Sequence, residues 1–327
     1  MINLGIISKE ELSPYIFGAV DTFEYDGWVC FSRFTEKQGQ WLKNNNFPRE
    51  KCSASGMRLE FNTKGGMLSF DYYSEQSTCV GNAPIFGLEI TLDGMPAYHI
   101  YREELPLTDK VEFEIPNSDD FVHVAVYFPL RASFRIKNVI MPDDVRPVKK
   151  ELKILTLGDS ITAGAVCKHS NHCYVNFIAD KLNAELLNQG VGGSKFPPEF
   201  LDDLPFDPDI VTVAYGVNDF FAGVILSETP KIYFEKIYER YKDKKILVLL
   251  PIWCGREDTG EENKLELGRK YIREIAQKYP NTSVIDCKNF VPRLPEFYWD
   301  DECVHPNDLG FMYYDNNLIK SIKPLIK

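Results

Sequence analysis

The sequence has neither an excess of positive charge nor a long apolar run. Its 37 basic and 48 acidic residues give a formal net charge of −11. Such a chain lacks the basic surface that binds nucleic acid or anionic lipid, so we expect neither partner and favour a neutral substrate. No apolar segment is long enough to span a bilayer, and no signal-peptide pattern is visible at the N-terminus. These features predict a soluble, cytoplasmic protein, although a trimmed secretion signal would leave no trace in the sequence.

Two common catalytic motifs are missing as well. The glycine-containing segment at residues 158–164 has no Gly-Lys-Ser/Thr, so it is not a phosphate-binding P-loop. Thr162 stands two residues after Ser160, where the nucleophile elbow of the α/β-hydrolases requires glycine. The eight cysteines are scattered, and without a secretion signal we expect them to be reduced thiols.

The first part of the chain, residues 1–147, is predicted to be all-β. Short segments of alternating apolar and polar residues recur between turns, such as residues 121–128 and the two segments that flank Asp93-Gly94. Many short strands with glycine and proline turns are typical of a β-sandwich, here expected to be of the jelly-roll type. A linker with two prolines and mixed charge, residues 141–150, marks the boundary.

The second part, residues 148–327, alternates strands with helices. The expected buried strands are residues 154–157, 185–188, 210–215, 246–250 and 283–286. The expected helices are residues 174–183, 228–241, 262–279 and 307–322. This alternation predicts a parallel sheet with right-handed crossovers, in a three-layer α/β/α domain.

The segment KILTLGDSITAG, residues 153–164, is the one around which the second part is arranged. Its apolar run predicts a buried strand, and Gly158, Asp159 and Ser160 then break that run before a helix expected from Ile161. This places Ser160 at the carboxyl end of a strand and at the positive end of a helix, where ligands collect in open α/β sheets. Ser160 is therefore a candidate nucleophile, and the alternative is an ordinary helix N-cap.

Other strand ends supply groups that acyl transfer needs. The oxyanion of a tetrahedral intermediate requires preorganised donors, and three are available: the backbone N–H groups of Ser160 and Gly193 and the side-chain amide of Asn218. Among the five histidines, His305 lies just before the last helix and follows a run of carboxylates. Those carboxylates could orient its imidazole, as the acid of a catalytic triad does.

These motifs resemble the four blocks of the SGNH, or GDSL, hydrolase superfamily. The matching segments are residues 158–162, the glycines that follow Asn188, residues 216–219 and His305-Pro306. The resemblance covers about residues 152–327. It implies a flavodoxin-like sheet of about five parallel strands, with Ser160 as nucleophile, Gly193 and Asn218 in the oxyanion hole, and His305 as base. Gly190 and Gly192 lie close enough to Gly193 to leave its assignment open.

The sequence departs from the family at the acid. The family places aspartate three residues before the histidine, and here that position is Glu302. We predict Glu302 as the third catalytic residue. The alternatives are Asp301, or a Ser-His dyad in which a backbone carbonyl orients His305.

Two further features near these motifs are open to more than one interpretation. Residues 167–173 hold two cysteines and two histidines, which makes zinc conceivable, but their spacing matches no standard zinc site and we predict no metal. We expect this loop to border the mouth of the active site. Trp253 follows a strand end, where it could form a substrate wall and stack on a sugar, or could simply pack in the core.

A β-sandwich ahead of such a catalytic domain is similar to the two-domain carbohydrate acetylesterases. This resemblance implies a serine esterase that hydrolyses O-acetyl or other short acyl esters on a small molecule or oligosaccharide, without a cofactor. The alternatives are a lipid-directed esterase such as a lysophospholipase, and a carbohydrate-binding protein whose hydrolase domain has lost its activity. The sequence does not determine the oligomeric state.

Overall fold

The computed structural model describes residues 7–47, 50–76, 87–100, 108–259 and 262–326. Contacts divide the chain into two compact units. The first contains residues up to Lys150 together with His169–Asn171, and the second contains Glu151–Lys168 and the residues from His172 onward. The main division thus follows Lys150, where the sequence analysis placed it after residue 147. Among the helices described, none is both long enough and apolar enough to cross a membrane.

The first unit is built from eleven strands and two helices within the described residues. The strands are β1 (Ile16–Phe17), β2 (Asp21–Tyr25), β3 (Trp28–Ser32), β4 (Arg58–Thr63), β5 (Gly66–Gln76), β6 (Leu88–Leu92), β7 (Met95–Ile100), β8 (Thr108–Ile115), β9 (Val122–Tyr127), β10 (Ala132–Ile140) and β11 (Arg146–Pro147). The helices are α1 (Lys9–Leu12) and α2 (Glu36–Asn44).

The strands of the first unit form two antiparallel sheets. One has the order β1-β4-β9-β6-β7, with β11 paired to β4, and the other has the order β2-β3-β10-β5-β8. Apolar side chains from both sheets, including Phe61 and Val126 from the first and Phe70 and Ile136 from the second, belong to one hydrophobic core. The alternation read from the sequence is therefore correct, because one face of each sheet is covered. The jelly-roll connectivity stays a prediction.

The second unit is an α/β domain. Its elements in chain order are β12 (Leu152–Gly158), α3 (Tyr174–Lys181), β13 (Ala184–Gly190), β14 (Ile210–Ala214), α4 (Val217–Phe221), α5 (Thr229–Arg240), β15 (Lys245–Leu249), α6 (Glu262–Ala276), β16 (Thr282–Ile285) and α7 (Asp308–Ile322). The five strands are parallel and have the order β13-β12-β14-β15-β16. The predicted five-stranded, flavodoxin-like parallel sheet is confirmed.

The strand order fixes where a ligand can bind. The chain passes from β12 to β13 on one side and returns to β14 on the other, so the crossovers diverge at the end of β12. In open parallel sheets, the crevice at such a switch point is the usual binding site. The loops after β12, β13 and β14 therefore meet at the place where the sequence puts Ser160, Gly193 and Asn218.

Candidate active site

The nucleophile turn, residues 158–163, follows β12 directly. Ser160 is 4% exposed, and the Asp159 carboxylate accepts a hydrogen bond from the Ile161 N–H at 3.1 Å. The expected helix from Ile161 does not form: residues 160–166 are turns, and the next α-helix begins at Tyr174. Gly164 and Val166 have φ angles of 78° and 62°, a left-handed conformation that a right-handed helix cannot contain. A turn, rather than the N-terminus of a helix, therefore follows the Ser160 hydroxyl.

Neighbouring strand ends hold the nucleophile turn tightly. A Cβ on Gly158 would lie 2.0 Å from the Thr162 hydroxyl oxygen, and one on Gly190 would lie 2.5 Å from the Ala163 nitrogen. Any larger residue would therefore displace the turn. The ends of β12 and β13 have no room for a side chain, which is the physical reason for glycine at both positions.

A buried polar network under the turn was not found from the sequence. The Asn188 side chain donates a hydrogen bond to the Thr162 carbonyl at 2.9 Å, and its oxygen accepts from the Gly190 N–H at 2.9 Å and from the Thr156 hydroxyl at 3.2 Å. The Thr162 hydroxyl lies 2.8 Å from the Tyr174 hydroxyl. Polar residues such as Thr156 and Asn188 inside otherwise apolar strands were the available signal, because buried polar groups need partners.

The structure brings Ser160 and His305 together. The Ser160 Oγ lies 2.9 Å from His305 Nε2, which is hydrogen-bond distance between groups 145 residues apart in sequence. The other ring nitrogen, Nδ1, lies 2.7 Å from Asp300 Oδ2. Hydroxyl, imidazole and carboxylate thus form one hydrogen-bonded row, the arrangement that lets an imidazole take a proton from a serine.

The carboxylate in this row is Asp300, so the placement of Glu302 beside the ring is wrong. Glu302 is exposed, and it contributes its backbone carbonyl to a different bond, accepting from the Gly255 N–H at 2.7 Å. The single N–H that Nδ1 can carry is taken by Asp300, which also leaves no place for Asp301 or a backbone carbonyl in that role.

The local fold explains why a residue five positions before the histidine reaches its ring. In the acid–base loop, residues 298–306, the Asp300 carboxylate accepts hydrogen bonds from the backbone N–H groups of Val304 at 2.8 Å and His305 at 3.0 Å. Cys303 has a φ of 51°, which turns the chain back on itself. Burial acts to raise the pKa of Asp300, but the hydrogen bonds from the His305 ring and from these backbone groups outweigh it and hold the pKa below its usual value.

The two further oxyanion donors lie on loops that contact each other. Asn218 is the second residue of α4, and its side-chain amide donates to the Ser194 carbonyl at 3.2 Å. Gly193, next to Ser194, is exposed and has a φ of 80°. The same loop is tied to the end of β12 by a bond from the Val191 N–H to the Gly158 carbonyl at 3.0 Å. The loops are therefore assembled beside Ser160, and the oxyanion role of these donors stays a prediction.

Two buried acids lie next to the nucleophile. Burial raises the pKa of Asp159 to about 7, against an opposing hydrogen bond from Ile161 and the attraction of His305, and repulsion by Asp219 adds to the increase. Burial likewise raises the pKa of Asp219 to about 6. The Asp159 side chain lines a cavity of about 30 Å³ together with Tyr174. Most of the other residues that line it are apolar, among them Ile161, Val217 and Leu250.

Trp253 is not an exposed substrate wall. It is 4% exposed and packs edge-on against Tyr298, with ring centroids 5.7 Å apart. Its backbone N–H donates to the Lys288 carbonyl at 3.1 Å. Both partners belong to the second unit, and the buried ring is not available to a ligand. The expectation that Trp253 could stack on a sugar is therefore wrong, and the alternative of packing in the core is correct.

The side chains of residues 167–173 have separate partners. Cys167 Sγ lies 3.3 Å from Asp308 Oδ1, and the Cys173 thiol is buried, 4.0 Å from the Thr162 carbonyl oxygen. His169, which belongs to the first unit, lies 2.5 Å from Glu89 of that unit. In the part of the chain that the structure describes, no group of three or more His, Cys, Asp or Glu residues could hold a metal ion.

Comparisons with known proteins agree with this geometry. Residues 156–312 match the model of the GDSL-like Lipase/Acylhydrolase family. No curated protein matches the chain significantly in sequence. A solved salicylyl-acyltransferase from a tetracycline biosynthetic pathway is 17% identical, with a TM-score of 0.81 over 95% of this chain and 94% of its own. A putative GDSL-like lipase from Bacteroides ovatus is 16% identical, with a TM-score of 0.72 over 98% and 97% of the two chains.

A third structure is a family two carbohydrate esterase from Clostridium thermocellum in complex with cellohexaose. It is 18% identical, with a TM-score of 0.62 over 84% of this chain and 93% of its own. At these identities the likeness shows a shared fold. The match of residues 156–312 to the GDSL-like lipase/acylhydrolase family confirms the resemblance to the SGNH hydrolases and supports an acyl esterase.

Proposed function

We propose that this protein is a serine esterase that removes acetyl or other short acyl groups from esters on carbohydrate. The observation that carries the proposal is the hydrogen-bonded row of Ser160, His305 and Asp300, with distances of 2.9 and 2.7 Å. Such a row activates a serine hydroxyl that is otherwise a weak nucleophile at neutral pH. Side chains of the chain supply the nucleophile, the base and the acid.

Each residue has a defined part in the proposed reaction. Ser160 attacks the ester carbonyl while His305 Nε2 takes the hydroxyl proton, and Asp300 stabilises the imidazolium that results. The N–H of Ser160, with Gly193 and the Asn218 amide, stabilises the oxyanion. His305 then protonates the departing sugar oxygen, which leaves an acyl-serine. Water, deprotonated by the same imidazole, attacks that ester and releases the carboxylic acid.

A carbohydrate ester is the substrate class that we favour. The support comes from the carbohydrate esterase among the similar structures, described in complex with cellohexaose, and from the two-unit architecture that the chain shares with it. The net charge of −11 also favours a neutral substrate over an anionic one. The step from a shared fold to a substrate is an analogy, so it requires a direct test.

A second candidate is transfer of the acyl group to an alcohol other than water. The salicylyl-acyltransferase aligns along almost the whole of both chains, and hydrolysis and transfer share the same acyl-serine. The acceptor alone distinguishes the two reactions. Hydrolysis in the presence of added alcohols, with the acid and the new ester quantified, measures the ratio of transfer to hydrolysis.

The main test is Ser160→Ala, assayed on a chromogenic acetate ester and on acetylated oligosaccharides. We expect kcat to fall on the order of 10⁴-fold or more, since the variant has no nucleophile. Ser321→Ala, which removes a hydroxyl bonded to the Asn317 carbonyl near the end of α7, is the control and should keep full activity. Normal hydrolysis by the Ser160 variant would end the proposal. Faster turnover of long-chain than of acetyl esters would favour the lipid-directed alternative.

A further inference from the structure

A buried ion pair in the second unit is not used by the reaction described above. Arg269 of α6 and Glu257 are each 1% exposed, and they are joined by two bonds, Nη1 to Oε2 at 2.8 Å and Nη2 to Oε1 at 2.5 Å. A bidentate pair of this kind fixes the relative orientation of the two side chains. It therefore holds the segment that carries Glu257 in a defined position on α6.

Arg269 also binds the backbone of the support loop, which we define as residues 251–257. Its Nε donates to the Pro251 carbonyl and its Nη2 to the Ile252 carbonyl, both at 2.8 Å. Glu257 in turn accepts from the Cys254 N–H at 3.1 Å. Both ends of the support loop are thus fixed to one guanidinium, directly or through Glu257.

The support loop carries the acid–base loop. The Gly255 N–H donates to the Glu302 carbonyl at 2.7 Å, and a Cβ on Gly255 would lie 2.9 Å from that same oxygen. The Trp253 ring packs on Tyr298, with centroids 5.7 Å apart. Two successive contacts therefore link the support loop to residues on both sides of Asp300.

The acid–base loop needs such external support. It contains an isolated β-bridge between Tyr298 and Pro306 and a left-handed residue, Cys303, with a φ of 51°. A non-glycine residue in that conformation is strained and persists only where its surroundings impose it. Small shifts of this loop would move His305 relative to the Ser160 hydroxyl.

We propose that Arg269 is a positioning residue, which keeps His305 within reach of Ser160 through the support loop. The inference rests on the proposed function, in which His305 is the base. The chain of contacts runs from Arg269 and Glu257 to Gly255, then to Glu302, and from there along the acid–base loop to His305. A shift of about 1 Å in a catalytic group is enough to lower a rate by about 10²-fold, so the effect should be large.

The test is Arg269→Lys. Lysine keeps the charge but cannot form the two-pronged contact with Glu257 and both carbonyl bonds at once. We expect kcat on the acetate ester to fall about 10- to 100-fold while KM changes less than about twofold. Amide hydrogen exchange of peptides that cover residues 298–306 should become several-fold faster, since this exchange reports loop opening without any need for activity. Glu257→Gln, which keeps the shape, should give smaller changes in the same direction.

Arg33→Lys is the matched control. Arg33 is also buried in an ion pair, 3.1 Å from Glu50, and also donates to a backbone carbonyl, that of Ser53, at 3.0 Å. It lies in the first unit and has no part in the contacts described above. We expect this variant to lose thermal stability but to keep kcat and the exchange of residues 298–306.

The outcomes distinguish failure of the positioning role of Arg269 from failure of the proposed esterase function. An unchanged kcat and unchanged exchange in folded Arg269→Lys would overturn the positioning role, and so would an equal loss of kcat in Arg33→Lys. If the lysine variant does not fold, Glu257→Gln gives the same decision. Failure of the proposed function appears elsewhere, as activity that survives Ser160→Ala. In that case the exchange measurement still shows whether Arg269 holds the acid–base loop.

Discussion

The hydrogen bond between Ser160 and His305 joins the nucleophile turn to the acid–base loop, yet different contacts hold these two segments in place. The turn follows a central strand and is enclosed by its sequence neighbours and by the end of β13, where Gly190 and Asn188 contact it. The acid–base loop has one β-bridge, and it relies on a distant loop that is fixed to α6 through Arg269. Packing against a neighbouring strand end thus places the nucleophile, whereas local hydrogen bonds of Asp300 and a second loop together place the base.

The substitution with the largest expected effect tests which carboxylate of the acid–base loop orients His305. Asp300→Asn keeps the shape but removes the charge that stabilises the imidazolium, so we expect kcat to fall on the order of 10²- to 10⁴-fold. Glu302→Gln, two residues away on the same loop and exposed, should change kcat less than about twofold. Steady-state kinetics on a chromogenic acetate ester give both values. A larger loss in the Glu302 variant would reverse the assignment made from the structure.

A second substitution tests the tight packing of the nucleophile turn. In Gly190→Ala the new methyl group would meet the backbone of Thr162 and Ala163, whose nearest atom is 2.5 Å away. We expect the free energy of unfolding to fall by about 2–3 kcal/mol and kcat to fall about tenfold, because the turn must shift. Denaturant titration and kinetics measure the two effects.

Gly223→Ala is the control for this substitution. Gly223 has a φ of 70° but no atom within 4 Å of its added Cβ, so only the backbone strain of about 1–2 kcal/mol should appear, with normal kcat. Equal losses of activity in the two variants would contradict a specific role for the space at Gly190.

The last expected effect is a pH-dependent change in stability and concerns the buried acid of the nucleophile turn. Burial raises the pKa of Asp159 to about 7, well above its value of 3.8 in an unfolded chain. Below about pH 4 both states hold the proton, and between pH 4 and 7 only the unfolded chain releases it. The free energy of unfolding therefore decreases over this range and is not reduced further above pH 7.

Asp159→Asn removes this pH dependence while keeping an oxygen for the Ile161 N–H. We expect the variant to gain about 4 kcal/mol relative to wild type between pH 4 and pH 8, since the pKa of Asp159 is raised by about three units and each unit corresponds to about 1.4 kcal/mol. Denaturant titrations at the two pH values give the difference. The same stability difference at both values would mean that Asp159 is already ionised in the folded protein.

The contrast between the nucleophile turn and the acid–base loop also explains what the sequence could and could not predict. Apolar runs and glycines sufficed for the parallel sheet and for the position of Ser160, because these depend on neighbours along the chain. The helix expected at Ile161 was wrong, since left-handed Gly164 and Val166 interrupt it. The acid was also wrong: spacing pointed to Glu302, and only the folded loop shows Asp300 reaching back to the ring.

The positions of Trp253 and Arg269 could not be predicted from the sequence either. A tryptophan after a strand end is compatible with a sugar platform, and its burial follows only from contacts with Tyr298, far along the chain. Arg269 lies in the helical pattern of α6, where an arginine normally faces solvent, so nothing local distinguishes it from a surface residue. Its partner Glu257 comes from the loop between β15 and α6, and its burial follows only from the folded structure.

Glycines at the ends of three adjacent strands limit how this enzyme could be redesigned. Gly158, Gly190 and Gly216 have no space for a side chain, with the nearest atoms 2.0, 2.5 and 2.8 Å from an added Cβ. In a mutational library aimed at bulkier acyl donors, variants substituted at these three positions would not fold correctly. Randomisation of the exposed residues 222–224 and of Leu226 should retain folded clones and so has the better prospect of yielding new selectivity.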